Sequence, residues 1–167
     1  TKLNGIKGEI ADIGGGNGFV SMMLQDIGLD VILVEPGEKG VINAKKRGVK
    51  KIVCGIFDRD MFNDKIENIG LFDVLEHIEN DEKFLEDIYS VIKENGKIIL
   101  TVPAFNILWS NEDDEVGHYR RYRLSEIEKI VTKAGFKIEY SNYLFSFLWL
   151  PLFLFRTLPT VLGIRRK

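Results

Sequence analysis

The chain has 167 residues, of which 45% are apolar and 29% are charged, and its formal net charge is -2. This length supports one globular domain with a substantial core, and the slightly acidic balance excludes general nucleic-acid binding, which needs a basic face. The single cysteine excludes a disulfide framework and a cysteine metal site. No signal peptide is recognisable, so a cytoplasmic protein is expected.

Predicted strands and helices alternate along the chain, which is typical of an α/β fold with a mostly parallel sheet. The first helix is predicted to carry Phe19, Val20, Met23, Leu24 and Ile27 on one apolar face, and Cys54 is predicted to lie in a buried strand. In chain order the elements are strand 9–13, helix 19–27, strand 30–34, helix 38–47, strand 51–55, strand 66–71, helix 81–93, strand 97–102, a helix that starts with a capping box at 125–128, and strand 136–140.

The most informative stretch is the turn between the first strand and the first helix, which reads Asp12-Ile13-Gly14-Gly15-Gly16-Asn17-Gly18. Glycine adopts positive φ and has no Cβ, so such a turn can bring backbone N–H groups close to a ligand at a helix N-terminus. The spacing is G-x-G-x-G, not the G-x-G-x-x-G of dinucleotide-binding folds. Asp12 would repel a pyrophosphate, whereas it would tolerate a cationic cofactor without phosphates.

These seven residues match the acidic-x-G-x-G-x-G motif of class I S-adenosylmethionine (SAM) dependent methyltransferases, which the chain resembles. A second word of that family, D-V-L-E-H, is present as Asp73-Val74-Leu75-Glu76-His77. The resemblance covers residues 8–140 and implies a three-layer Rossmann-like sheet, mostly parallel, without a recognisable last antiparallel strand. It also implies an enzyme that moves a methyl group from SAM to a small or amphiphilic acceptor, at oxygen.

The family's cofactor contacts fall on Asp12, Gly14, Gly16, Gly18, Glu35, Phe57, Asp58, Phe72 and Asp73. The resemblance implies that the glycine turn holds the methionine part of SAM. Glu35, 21 residues after Gly14, would accept hydrogen bonds from the ribose hydroxyls. The residues at 57–58 would contact the adenine, and those at 72–73 would form the far wall.

Two other function classes stay open. NAD-binding folds also place an acid at the position of Glu35, so an NAD-dependent oxidoreductase or epimerase is the first alternative. A catalytically silent SAM-binding module is the second. The glycine turn by itself could also be a tight strand-to-helix connection without a ligand, which the later motifs make a weaker explanation.

Methyl transfer has no obligatory catalytic residue, because the sulfonium of SAM already carries the activation. A hydroxyl acceptor would benefit from a base, and the two histidines of the chain, His77 and His118, are the catalytic candidates. His77 could instead order the loop that follows the fourth strand. No group of His, Asp and Glu has convincing ligand spacing, so no metal is expected.

The segment 117–122 reads G-H-Y-R-R-Y and resembles a G-H-x-R-R-Y word near the pocket mouth of related enzymes. Tyr119, Arg120 and Arg121, together with Trp109, are the candidate substrate contacts, because arginine recognises phosphates and carboxylates. The alternative is a solvated basic loop that pairs with the acidic run 112–115.

Thirteen uncharged residues, 143–155, precede Arg156 near the end of the chain. A membrane-spanning helix needs about 20 apolar residues, so a SAM-binding domain at 1–142 is predicted to be followed by an apolar helical segment at 143–167. This segment would pack on the domain, cover the pocket, form a homodimer contact, or make a peripheral membrane contact through 143–164 that the basic end 165–167 would assist. A lipid-like methyl acceptor would suit either placement, and membrane contact would make the protein membrane-associated.

Overall fold

The computed structural model describes residues 5–144 and 149–163, with the backbone alone for Trp149. Its centre is a parallel sheet with the strand order β3-β2-β1-β4-β5. The strands are β1 Glu9–Ile13, β2 Asp30–Glu35, β3 Lys51–Cys54, β4 Ile66–Phe72 and β5 Ile92–Thr101. The strand order reverses between β1 and β4, and ligands of open α/β sheets bind at the carboxyl ends of the strands at such a point.

Helices connect most of these strands. They are α1 Phe19–Asp26, α2 Glu38–Arg47, α3 Asp81–Val91, α4 Asn111–Val116, α5 Leu124–Lys133, α6 Trp149–Leu152 and α7 Leu158–Val161. A wider π-helical turn, Phe153–Thr157, joins α6 to α7, and single 3-10 turns occur at Leu75–His77 and Asn106–Leu108. The parallel sheet and its helices confirm the predicted Rossmann-like α/β fold.

The contacts divide the chain into two compact units. The first unit comprises Thr1–Val74 and Glu86–Thr101, and the second comprises Leu75–Leu85 and Val102–Lys167. The sequence-based boundary at residue 142 stays a prediction.

Two buried clusters fix the first two helices to the sheet in the first unit. One contains Ile10, Leu24, Leu29 and Val31, and the other contains Leu33, Ala44 and Val49. Burying one large aliphatic side chain stabilises a fold by about 1.5–3 kcal/mol. The clusters therefore hold the turn between β1 and α1 firmly against the sheet.

The predicted apolar face of α1 is buried only in part. Leu24 is buried and Val20 is partly buried against the same cluster, whereas Phe19, Met23 and Ile27 are 61%, 67% and 60% exposed. Ser21, which is not on the predicted face, is buried. Helical periodicity shows that these apolar residues share a face, but it does not show which face the sheet covers. The side that faces the sheet is the one from which Ser21 donates a hydrogen bond to buried Asp12.

Three smaller predictions were also wrong. Residues 136–140 form no strand. Phe136 is buried directly after α5, whereas Tyr140 is exposed. Cys54 ends the edge strand β3 and is exposed. The predicted capping box at 125–128 is absent: α5 begins at Leu124, and at its N-cap the backbone N–H of Arg123 donates to Glu126 Oε2 at 2.8 Å.

In the second unit, the segment after residue 149 contacts the start of α4. Arg156 Nη2 lies 2.6 Å from Glu112 Oε2, and the backbone N–H of Asn111 donates to Thr160 Oγ1 at 3.3 Å. Phe155 on the same segment is 61% exposed. Residues 145–148 and the basic end 165–167 lie outside the described residues. Across 5–144 and 149–163, no helix combines the length and the apolarity needed to cross a membrane.

Candidate functional site

The turn between β1 and α1 is packed on one side and open on the other. Gly14 donates its N–H to the carbonyl of Val34 at 2.7 Å. Gly14, Gly16 and Gly18 have φ values of 72°, 54° and 77°, in the left-handed region that favours glycine. A Cβ added to Gly14 would lie 2.8 Å from Val74, whereas one added to Gly16 would meet no atom within 4 Å. The open space at Gly16 is where a ligand could approach the backbone.

Asp12, in β1, is completely buried beside this turn. Ser21 Oγ donates to its Oδ2 at 2.5 Å, while buried Oδ1 has no hydrogen-bond partner among the described residues. Burial raises the pKa of Asp12 from 3.8 to about 6; the Ser21 hydrogen bond opposes this shift and the charge of Glu35 adds to it. A cationic N–H donor bound at the turn would satisfy Oδ1 and favour the ionised carboxylate.

Glu35, at the end of β2, is bonded directly to the glycine turn. Its Oε2 accepts the N–H of Gly16 at 2.9 Å, and its Oε1 accepts the N–H of Gly37 at 2.7 Å. A carboxylate has about four acceptor positions, so two remain for further donors such as adjacent hydroxyl groups. The structure thus brings Asp12, Gly16 and Glu35 together, and their contacts to SAM stay predictions.

Phe57 and Asp58 follow β3 in a short turn. Asp58 is exposed, and its Oδ1 accepts the N–H of Asp60 at 2.8 Å, while its carbonyl accepts the N–H of Met61 at 3.0 Å. Phe57 is half-buried. The side chain of Asp58 therefore shapes its own turn, and its assignment to the adenine stays a prediction.

Phe72 and Asp73 lie at the carboxyl end of β4. Asp73 has a φ of 53°, which is uncommon outside glycine. Thr101 holds it in place, because Thr101 Oγ1 donates to Asp73 Oδ1 and Asp73 N–H donates to the Thr101 carbonyl, both at 3.1 Å. The ring of Phe72 packs over the backbone of Gly70. Strained backbone that its neighbours hold in place is often found at ligand sites.

In the second unit, the two histidines meet each other. The rings of His77 and His118 pack edge to face with centroids 4.6 Å apart. His77 is exposed at the end of the turn Leu75–His77, whereas the side chain of His118 is 15% exposed. The backbone N–H of Tyr119 donates to the carbonyl of Glu76 at 2.8 Å and ties the two segments together.

A buried carboxylate, Asp113, orients His118. Its Oδ1 lies 2.8 Å from His118 Nδ1, and Arg121 binds it in a bidentate manner, with Nε to Oδ1 at 2.8 Å and Nη2 to Oδ2 at 2.9 Å. Burial alone would raise the pKa of Asp113, but hydrogen bonds from Arg121, His118 and Ser110 outweigh it and hold the pKa well below its usual range. In neutral His118 the proton is therefore on Nδ1, and Nε2 is an acceptor 4.0 Å from Glu76 Oε1.

Sequence reasoning missed Asp113, which it grouped with the solvated acidic run 112–115. The available signal was the spacing Ser110-x-x-Asp113 at the start of α4, where both reciprocal bonds of a capping box are present. It also missed Ser21, whose role depends on the packing of α1 against β1.

The structure changes the assignment of Arg121. This residue is buried, and besides its two bonds to Asp113 it donates from Nη1 to the carbonyl of Ala104 at 3.3 Å. Its donors hold the fold of the second unit together, so the predicted contact with a substrate anion does not suit it. The predicted pairing of the basic loop with the acidic run is present here, although it is buried rather than solvated.

The other predicted substrate residues are more accessible. Arg120 lies 3.1 Å from Asp81 Oδ2 and lines an open cleft of about 780 Å³ in the second unit, whose walls also carry Glu79, Glu82 and Glu126. That excess of carboxylates does not suit an anionic ligand. Tyr119 is 53% exposed, and Trp109 Nε1 donates to Asp114 Oδ1 at 3.1 Å.

The fold and the motifs can be compared with known proteins. A family model described as "Methyltransferase domain" matches residues 3–141, which include the glycine turn and the D-V-L-E-H word. The chain is a class I methyltransferase domain. This membership decides against the NAD-dependent oxidoreductase or epimerase that the position of Glu35 left open.

Two relatives of this methyltransferase domain carry the name ubiquinone biosynthesis O-methyltransferase. The protein of Rickettsia felis is 28% identical over 98 residues, which are 56% of this chain and 40% of the relative. The mitochondrial protein of Schizosaccharomyces pombe is 25% identical over 108 residues, which are 60% of this chain and 39% of the relative. The aligned part therefore spans about two fifths of these relatives.

Solved structures share the fold of the methyltransferase domain. A SAM-dependent methyltransferase of Thermotoga maritima has a TM-score of 0.64 and 24% identity, and the match covers 80% of this chain and 65% of that one. A SAM-dependent methyltransferase of Archaeoglobus fulgidus has a TM-score of 0.65 and 19% identity, with coverages of 78% and 62%. Phosphoethanolamine N-methyltransferase 2 of Haemonchus contortus, solved with SAM, has a TM-score of 0.66 and 21% identity, with coverages of 89% and 37%.

Proposed function

We propose that this methyltransferase domain binds SAM at the turn between β1 and α1 and transfers its methyl group to an oxygen atom of a small or amphiphilic acceptor. Asp12 is the observation that supports SAM as the cofactor, because it is a buried carboxylate with one oxygen that lacks a hydrogen bond among the described residues. The methionine part of SAM supplies a cationic N–H donor and brings no phosphate. A pyrophosphate would add negative charge beside Asp12 and Glu35.

The remaining cofactor contacts follow from the first unit. Gly14, Gly16 and Gly18 would leave room for the methionine part, and the two unused acceptor positions of Glu35 would take the ribose hydroxyls. The pair 57–58 would contact the adenine, and the pair 72–73 would form the opposite wall. The open space at Gly16 supports this placement.

The histidine pair of the second unit supports oxygen as the acceptor atom. In methyl transfer the oxygen lone pair forms a bond to the methyl carbon, the carbon–sulfur bond breaks, and its electrons stay on sulfur. A hydroxyl must lose its proton in this process, and we assign His77 and His118 to the handling of that proton. The two relatives named as O-methyltransferases are in keeping with this choice of acceptor atom.

Tyr119, Arg120 and Trp109 are the proposed contacts to the rest of the acceptor. Exposed apolar side chains such as Phe155 on the C-terminal helical segment favour an acceptor with an apolar part, and the same segment could form a peripheral membrane contact or a homodimer contact. A cytoplasmic protein with or without membrane association is compatible with each of these arrangements.

Isothermal titration with SAM, S-adenosylhomocysteine and NAD tests the cofactor. We expect micromolar SAM binding that Glu35→Ala weakens by about 1.5–3 kcal/mol, the usual effect of losing hydrogen bonds to a charged group. Glu38→Ala is the matched control, because Glu38 is an exposed acid at the start of α2. Binding of NAD without binding of SAM would overturn the proposal.

A second assay tests the acceptor atom. The protein would be incubated with SAM that carries an isotopically labelled methyl group, and with pairs of aromatic alcohols and amines on the same carbon skeleton, with and without an alkyl tail. Mass spectrometry should find the label on oxygen. Label on nitrogen alone would refute the choice of oxygen, and SAM binding without transfer to any acceptor would support the silent module.

A further inference from the structure

Three potential metal ligands from two separate segments of the second unit lie close together. Glu76 and His77 come from the turn Leu75–His77, and His118 comes from the loop after α4. One ligand atom from each of the three side chains lies within 4.8 Å of the other two. No metal was expected from the sequence, because spacing along the chain does not show that the loop after α4 returns to this turn.

The cluster is enclosed on one side and accessible on the other. Glu76 is 1% exposed, the side chain of His118 is 15% exposed, and His77 is exposed. An ion held by these residues would therefore have two ligands fixed within the unit. It would also keep a coordination position that solvent or a substrate could reach.

The surroundings of His118 match those of a ligand histidine. Its Nδ1 is bonded to buried Asp113 at 2.8 Å, and Arg121 fixes that carboxylate by two bonds. The other nitrogen, Nε2, lies on the side of Glu76 Oε1 at 4.0 Å. Histidines that bind metals usually donate their second ring N–H to a carboxylate or carbonyl, which fixes both the tautomer and the orientation of the ring.

From this geometry we propose that Glu76, His77 and His118 bind a divalent first-row transition metal ion, with Zn²⁺ as the best match, and that Asp113 positions His118 for this purpose. Two imidazoles and one carboxylate are a common zinc ligand set that leaves a fourth position open, whereas Mg²⁺ and Ca²⁺ prefer oxygen ligands. Zinc–ligand distances of about 2.0–2.2 Å place the ligand atoms of a tetrahedral site roughly 3.3–3.6 Å apart. Rotation of the exposed His77 ring would bring its ligand atom to this spacing, and Glu76 Oε1 and His118 Nε2, now 4.0 Å apart, would have to approach each other by about 0.5 Å.

The use of the ion in catalysis rests on the proposed function, whereas its binding does not. At the open position the acceptor hydroxyl would coordinate the ion, which lowers the pKa of a bound O–H group, and its proton would pass to solvent. In this arrangement His77 and His118 handle the proton through the metal and are not bases themselves.

The same contacts also suit a site without metal, in which a protonated His118 lies between the carboxylates of Asp113 and Glu76. Measured metal content separates the two cases. The experiment uses the full chain with Cys54→Ser, because the exposed thiol of Cys54 would bind zinc on its own. This protein is freed of metal with a chelator and then dialysed against Zn²⁺ or Co²⁺. Bound metal is then counted by mass spectrometry, and its affinity is measured by titration.

We expect one bound ion per chain and, with Co²⁺, visible absorption bands of a site with nitrogen and oxygen ligands. His77→Ala and His118→Ala should each lower the affinity at least 100-fold, and Asp113→Asn should lower it by about 10–100-fold. Glu115→Gln, which changes an exposed acid on α4, should have no effect. Metal content that does not differ between the parent protein and His77→Ala would overturn the proposal.

The design keeps the two proposals apart. His77 is exposed, so His77→Ala should fold, and circular dichroism and SAM titration of the metal-free protein check the fold of each variant. Methyl transfer to oxygen in fully metal-free protein would overturn the catalytic role of the ion while the proposed function stands. Stoichiometric metal binding without transfer to any acceptor would support the site and contradict the proposed function.

Discussion

Replacing Asp12 by asparagine should stabilise the ligand-free protein. The pKa of Asp12 is raised from 3.8 to about 6, so the unfolded chain ionises this group at lower pH than the folded chain. The folded state therefore loses stability as the pH rises from about 4 to 6, and the loss is complete near pH 7. A rise of the pKa from 3.8 to about 6 corresponds to about 3 kcal/mol, which is the largest gain expected for Asp12→Asn at pH 7.

Urea unfolding of the ligand-free protein at pH 4, 5, 6 and 7 measures this effect. Asn is close in shape to Asp and can still accept the hydrogen bond from Ser21, so the variant should gain stability relative to the parent as the pH rises and should show no gain near pH 4. Asp26→Asn, an exposed change at the end of α1, is the control. A stability difference that is independent of pH would refute the reasoning about burial.

The same substitution should weaken cofactor binding. If SAM binds the ionised form of Asp12, its affinity for the parent protein should rise about tenfold between pH 5 and pH 7, because the ionised fraction of a group with a pKa near 6 rises by that factor. Asp12→Asn should bind SAM more weakly and without this pH dependence. A parallel titration with S-adenosylhomocysteine, which has the ammonium but no sulfonium, shows which cation Asp12 stabilises.

Other substitutions test the two units separately. Gly16→Ala and Gly28→Ala place a Cβ at positive φ in open space, so both should lose about 1–2 kcal/mol of stability, but only Gly16→Ala should weaken SAM binding in a titration by tenfold or more. Arg121→Met leaves a buried carboxylate without its bidentate partner and should lower the free energy of unfolding in urea by about 3–5 kcal/mol. Arg120→Met at the cleft should lower it by less than about 1 kcal/mol. Equal losses for the two variants would contradict the assigned roles. Tyr122→Phe removes a buried hydroxyl that donates to a carboxylate at 2.8 Å, and thermal unfolding should show a loss of about 1–3 kcal/mol; an unchanged melting temperature would speak against that bond.

The sheet and the turn between β1 and α1 could be predicted because local residues decide them. The glycines at 14 and 16 allow left-handed backbone in the turn, and their φ values show this conformation. The placement of Glu35 follows from the parallel pairing of β2 with β1, which brings the carboxyl ends of both strands to the same edge. Each of these features depends on residues that are close in sequence or on the register of neighbouring strands.

The network of the second unit could not be predicted in this way. From the sequence, Asp113 cannot be distinguished from the exposed acids beside it, because α4 has only six residues and shows no clear periodicity. Its burial depends on Arg121, which reaches it from the loop that follows. His77 and His118 are brought together by tertiary contacts over a long separation in sequence, and no pattern along the chain contains that information.

The central position of β1 in the sheet affects the dynamics of the turn between β1 and α1. Strands on both sides of β1 cover its backbone hydrogen bonds, so its amide protons should exchange with solvent only through global unfolding, whereas the edge strand β3 can exchange through local opening. Asp12 thus belongs to a strand that is paired on both sides, and Gly14, the first glycine of the turn, follows directly after it. Destabilising substitutions far away in the sheet should therefore leave the turn rigid until the first unit unfolds as a whole, and cofactor affinity should fall abruptly rather than gradually as stability is lost.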